Sequence, residues 1–123
     1  MIGYVMLGTN KFKEAAKFYD ELLGMLGAKR MMEADNFIAW SNNEKAAAIS
    51  ICKPYDGKPA TVGNGVMVAI HVDSREKVDK LHAKALKLGG KDEGAPGQRS
   101  DTFYAGYFRD LDGNKLNAFY FGE

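Results

Sequence analysis

Two apolar, β-prone runs, Ile2–Leu7 and Val66–Val72, each end at a polar breaker and pass into a helical period. After the first, Phe12, Ala15, Ala16, Tyr19, Leu22, Leu23 and Leu26 recur at the spacing of one helix face. After the second, Val78, Leu81, His82, Ala85 and Leu86 do the same. Thr9-Asn10 and Asp73-Ser74 are placed to cap these helices, and Asp73 with Glu76 has the spacing of a capping box. Glycines close both periods, Gly24 or Gly27 in the first and Gly89-Gly90 in the second. Strand-like segments follow: Lys29–Glu33, Phe37–Trp40 and Ala47–Lys53, then a short run near Lys91, Phe103–Arg109 and Lys115–Phe121. Between the last two, Asp110-Leu111-Asp112-Gly113-Asn114 predicts a tight hairpin, because Asp-Gly supplies the positive φ such a turn needs.

The two halves are one pattern written twice. A gapless shift of 63 positions lays Tyr4-Val5-Met6-Leu7 on Met67-Val68-Ala69-Ile70, Phe18 on Leu81, Tyr19 on His82, Leu23 on Leu86 and Gly27 on Gly90. Each half reads βαβββ, which predicts an α+β fold. Neither half alone has enough apolar surface to cover both sheet and helix, so the two sheets are expected to combine into one domain over residues 1–123. The modules are expected at about 1–57 and 65–123, joined by a turn-rich linker at about 58–64.

Composition narrows the function. Net charge is +1 with both signs interspersed, so nothing in the charge balance asks for nucleic acid or an anionic membrane. A single cysteine, Cys52, cannot form an internal disulfide. The first residues lack a basic stretch ahead of their apolar run, and no apolar run approaches the roughly 18 residues of a membrane span. A cytoplasmic protein is the expectation.

The order and spacing resemble the glyoxalase/bleomycin-resistance/dioxygenase family, the vicinal-oxygen-chelate fold. The residues that carry the resemblance are Leu7-Gly8-Thr9-Asn10 leading to Ala16-Lys17-Phe18-Tyr19-Asp20, Leu26-Gly27, Gly89-Gly90, and Asp110-Leu111-Asp112-Gly113-Asn114-Lys115-Leu116. Leu111 stands where relatives usually have proline. The resemblance implies that the strands of both modules curl into a cup with the helices outside. It also implies that metal-dependent members hold a divalent ion there with four His, Glu or Gln side chains. Those positions fall on Tyr4, Ser50, Met67 and Asn117, none a good ligand for Zn, Ni, Fe or Mn in this setting. His71 lies on the same strand face as Met67 but about 13 Å along it. The expectation is therefore no metal and no cofactor.

What remains is a pocket of aromatic, sulfur and amide groups suited to a small amphipathic or aromatic molecule. Its expected lining is Tyr4, Ser50, Met67, His71 and Asn117, with Trp40 or Arg99 at the rim. Each residue has a plainer reading. Tyr4, Met67 and Asn117 could simply pack a narrow cup. His71 could be a general base or an exposed histidine at a strand end. Trp40 could stack on a planar ligand or cover the sheet. Arg99, in the Gly94–Arg99 insertion read as a loop, could clamp an anion or be solvated. Cys52 and His82 read as packing residues. Four functions stay open: a metal-free binding cup, a metal-dependent lyase, isomerase or dioxygenase, a metal-free enzyme, and a scaffold with a filled cup. The aromatic run Phe119-Tyr120-Phe121 has rings on both strand faces, and family members often complete their cups across an interface, so a homodimer is expected.

Overall fold

Helix α1 (Phe12–Gly24) forms because its apolar stripe buries Ala15, Ala16, Phe18, Tyr19, Leu22 and Leu23 on one side while lysines and glutamates face water. It follows β1 (Tyr4–Gly8) and precedes β2 (Lys29–Ala34), β3 (Phe37–Ser41) and β4 (Ala48–Cys52). The order then repeats with β5 (Val68–His71), α2 (Arg75–Lys87), β6 (Lys91–Ser100), β7 (Phe103–Arg109) and β8 (Lys115–Phe121). The structure, a computed structural model, describes residues 1–123. It divides into two compact units, Met1–Gly63 and Asn64–Glu123, each with one four-stranded mixed sheet and one helix. No helix is long and apolar enough to cross a membrane.

The two sheets have the same topology, β1-β4-β3-β2 in the first unit and β5-β8-β7-β6 in the second. In each, the first and last strands of the unit pair in parallel at one edge, and the other neighbours are antiparallel. The register repeats as well. Met6 pairs with Ser50, and Ala69, 63 positions after Met6, pairs with Asn117. Ser50 and Asn117 are thus equivalent places in the two units.

Three local expectations need correction. Helix α2 is capped by Ser74, whose hydroxyl accepts from the Lys77 amide at 3.1 Å; Asp73 instead pairs with the Lys77 ammonium at 2.8 Å. Helix α1 has no side-chain cap: Thr9 accepts from the Lys11 amide at 2.9 Å, and the Asn10 side chain bonds both the amide and the carbonyl of Ala60. The Gly94–Arg99 segment is no loop. It lies inside β6, a ten-residue edge strand whose register shifts accommodate Gly94 and Gly97. Pro96 fits there because an edge strand need not donate every amide to the ladder. The hairpin between β7 and β8 forms around Asp110, whose Oδ1 accepts from the amides of Asp112 and Asn114 at 2.9 Å, with Gly113 at φ 92°.

Carboxylates fasten both units. In the first, Arg30 donates twice to Asp20, at 2.9 and 2.7 Å. The Arg30 bonds, helped by the Trp40 indole, hold the Asp20 carboxyl below its usual range although burial pushes it up. In the second, the Gly94 amide and then His82 lower Asp92, and the Arg109 guanidinium lowers Glu93. A carboxyl whose pKa is lower folded than unfolded stabilises the fold above its unfolded value, near 4, and loses that contribution as pH falls through the folded value. Urea stability is therefore expected to be level between about pH 5 and 7 and to fall below about pH 4. Asp20→Asn should flatten part of that acid limb. A midpoint unchanged between pH 6 and 3 would contradict the assignment.

Candidate functional site

Register sorts the side chains of each sheet between the helix-packed face and the opposite face. In the first unit Trp40 pairs with Ile49 and Ile38 with Ile51, all on the α1 side. Trp40 is 1% exposed, its ring lies 5.6 Å from that of Tyr19, and its indole N–H donates to Asp20 Oδ1 at 2.8 Å. It is a core residue under the helix, not a rim residue of a pocket. The run Phe37-Ile38-Ala39-Trp40 is apolar on both faces, so its phase could not be read from the pattern.

The helix-free face of that unit carries Tyr4, Met6, Phe37, Ala39 and Ser50. Tyr4 is 60% exposed and meets Phe37 edge-on at 6.2 Å, while Ser50 is fully buried and donates its hydroxyl to the Val5 carbonyl at 2.6 Å. Of the two quartet positions in the first unit, Ser50 is thereby satisfied within its own sheet.

The second unit differs at the equivalent place. Its helix-free face carries Ala69, His71, Phe103, Ala105, Tyr107, Lys115, Asn117 and Phe119. Asn117 is 1% exposed, and its Oδ1 is buried with no hydrogen-bond partner. An orphaned buried acceptor costs about 1–3 kcal/mol. Met67 lies one residue before β5 and is 39% exposed. His71 is exposed, with its ring against Phe119 at 5.2 Å, and Phe119 stacks on Phe103 at 5.4 Å. His82 belongs to the other face, where its buried Nε2 lies 3.0 Å from Asp92 Oδ1 and 3.1 Å from the Tyr107 carbonyl. Burial raises the Cys52 thiol above its ordinary value, which disfavours the thiolate a nucleophile needs.

Arg99 comes to this same face of the second unit. Its guanidinium lies over the Tyr107 ring at 5.4 Å and donates to the Ala95 carbonyl at 2.7 Å, and the Lys115 ammonium lies 5.5 Å from the same ring. Tyr107 pairs directly with Asn117. Tyr107 and Lys115 were missed from sequence, though strict alternation along β7 and β8 places both on the Asn117 side. The structure therefore groups His71, Arg99 and Asn117 on one face of the second unit and Tyr4 and Ser50 on one face of the first.

With the repeated βαβββ units and their register in hand, comparison with known proteins is decisive. The model of the Glyoxalase/Bleomycin resistance protein/Dioxygenase superfamily matches residues 1–118. The chain belongs to this superfamily. A glyoxalase/bleomycin resistance protein from Albidiferax ferrireducens T118 is 37% identical, with 98% of each chain covered and a TM-score of 0.89. A glyoxalase/bleomycin resistance protein/dioxygenase family enzyme from Burkholderia phytofirmans PsJN shares the fold at 18% identity, 97% coverage of each chain and a TM-score of 0.78. A lactoylglutathione lyase from Agrobacterium tumefaciens shares it at 17% identity, covering 98% of this chain and 92% of its own, with a TM-score of 0.72. No curated protein matches the sequence.

The superfamily's metal chemistry can be tested on the donor set. The four corresponding positions offer a phenol, a hydroxyl already donated to a carbonyl, a thioether and an amide. No three His, Cys, Asp or Glu side chains cluster closely enough to share an ion. These donors do not fit a divalent metal of the family's kind.

Proposed function

We propose that this superfamily member is a metal-independent small-molecule binding protein whose ligand sits on the helix-free face of the second unit, over Asn117. The observation that carries the reading is the orphaned Asn117 Oδ1. Folded domains rarely leave a buried acceptor unpaired, and such a group is explained when a ligand donor completes it. The surrounding rings of Tyr107, Phe119 and Phe103 supply apolar area at low entropic cost. The exposed His71 ring packs against Phe119 and no hydrogen bond to a carboxylate orients it, so binding is favoured over acid–base catalysis.

The test is Asn117→Leu, which keeps the branched shape and heavy-atom count of the side chain and removes the orphan. It should raise stability in urea by about 1–2 kcal/mol. It should also abolish the thermal shift given by those hits from a library of small aromatic fragments that carry an N–H or O–H donor. A destabilised variant that still responds to the same fragments would refute the reading. A homodimer and a cytoplasmic location belong to the same proposal; light scattering at micromolar concentration reads the first and cell fractionation the second.

A further inference from the structure

Where β4 ends and α1 begins, the first unit holds a cavity of about 370 Å³, at the lower end of the size of small-molecule sites. Its walls are pinned by the backbone. The Asn10 side chain accepts from the Ala60 amide at 2.6 Å and donates to the Ala60 carbonyl at 3.0 Å, tying the approach to α1 to the segment after β4. The turn that opens this segment is closed by the Gly57 amide on the Pro54 carbonyl at 3.1 Å, with Gly57 at φ 75°. The Thr9 amide donates to the Cys52 carbonyl at 3.0 Å, which holds the other wall.

Charge and apolar area meet in this cavity. Lys53 and Lys58 line it, and no carboxylate does. Neither ammonium makes an ion pair. Asp56 accepts from the Lys58 amide at 2.9 Å and lies outside the lining, as does Glu14 of the first turn of α1. Phe12, Pro54 and Pro59 supply the apolar wall. The Lys53 ammonium lies 5.4 Å from the centroid of the Phe12 ring, so one small molecule can touch both. Phe12 is also the first residue of α1, whose N-terminus no side chain caps, and the partial positive charge of such an end adds to that of the lysines. We propose that this cavity binds a small organic phosphate monoester, its head at Lys53 and Lys58 and its apolar body against Phe12. A monoester carries about 1.5–2 negative charges at neutral pH, matching two ammonium groups. Lysine serves phosphate as a point charge, without the two-pronged geometry that arginine gives a planar carboxylate. The site uses no residue of the second unit, so it goes beyond the Asn117 reading and does not depend on it.

Phenyl phosphate is the probe, with inorganic phosphate as the head without the body and phenol as the body without the charge. Binding is read by NMR from the backbone amides of Phe12, Gly57 and Lys58. Phenyl phosphate should move these signals, bind about tenfold or more tightly than either relative, and weaken as salt is raised. Lys53→Gln with Lys58→Gln should erase its advantage over phenol, while Lys53→Arg with Lys58→Arg should retain most of it. Phe12→Ala should erase its advantage over inorganic phosphate. Both lysines are exposed and Phe12 is half-buried, so the variants should keep the wild-type amide spectrum away from the cavity. Equal affinity for phenyl phosphate and inorganic phosphate overturns the ester assignment. Equal affinity for phenol, or an advantage that survives the double glutamine substitution, overturns the roles of Lys53 and Lys58. If phenyl phosphate moves none of the named amides, the site itself is overturned. The Asn117→Leu fragment comparison judges the proposed function separately.

Discussion

Trp40→Ala is expected to destabilise the protein by about 3–5 kcal/mol, the range for removing a fully buried large ring. Trp40 is 1% exposed, packs on Tyr19 of α1, and donates to Asp20. Asp20 in turn holds Arg30 of β2. One side chain thus ties the middle of the first sheet to its helix and helps fix the edge strand. Native stability is commonly about 5–15 kcal/mol, so this loss is a large part of the total. The melting temperature should fall on the order of 10–20 °C. Trp40→Phe keeps most of the packing and loses the donor, so it should cost well under half as much. Urea unfolding at neutral pH reads both. A loss below about 1 kcal/mol for Trp40→Ala would mean that the ring does not sit in the core.

Gly90→Ala is expected to cost about 3 kcal/mol, at the upper end of ordinary overpacking. Gly90 donates its amide to the Ala85 carbonyl at 2.9 Å, closing the end of α2 before β6 begins. A Cβ there would lie 2.7 Å from the Arg109 carbonyl oxygen and 2.8 Å from that of Ala85. Both obstacles are backbone, so neither can swing aside as a side-chain tip would. Relief must come from moving β7 or the helix end. Gly24→Ala is the control: it is helical with nothing within 4 Å of a new Cβ, and it should leave stability level or slightly raised. Equal urea midpoints for wild type and Gly90→Ala would show that the α2–β6 junction is looser than drawn.

Much of this fold is legible in the chain because its signals are local. The stripe in α1, the glycine stops and the Asp-Gly turn are each written within a few residues, and the repeat doubles every signal. The elements that were misread depend on tertiary context. Strand β6 contains Gly94, Pro96 and Gly97, a composition that reads as loop until its edge position is known. Ser74 and Asp73 are both good caps, and only the backbone decides between them. At the site, the Asn117 position was legible through the repeat and the family pattern. Its company was not: Arg99 reaches Tyr107 only because two glycines clear the way, and an unpaired amide oxygen is a property of surroundings, not of sequence.

Ser50 and Asn117 hold one address in two copies of a design, yet the first has spent its hydrogen bond on its own sheet and the second has kept one in reserve. Duplication makes this divergence safe. The ladders that build both units run through the backbone, so the residue at that address can change its chemistry without changing the architecture. One copy can settle into pure support while its twin is left free to explore. Position 117 is then where side-chain chemistry could be varied in this scaffold with least disturbance to the backbone ladders, and position 50 is the natural reference for the same place with its hydrogen bond already made within the sheet.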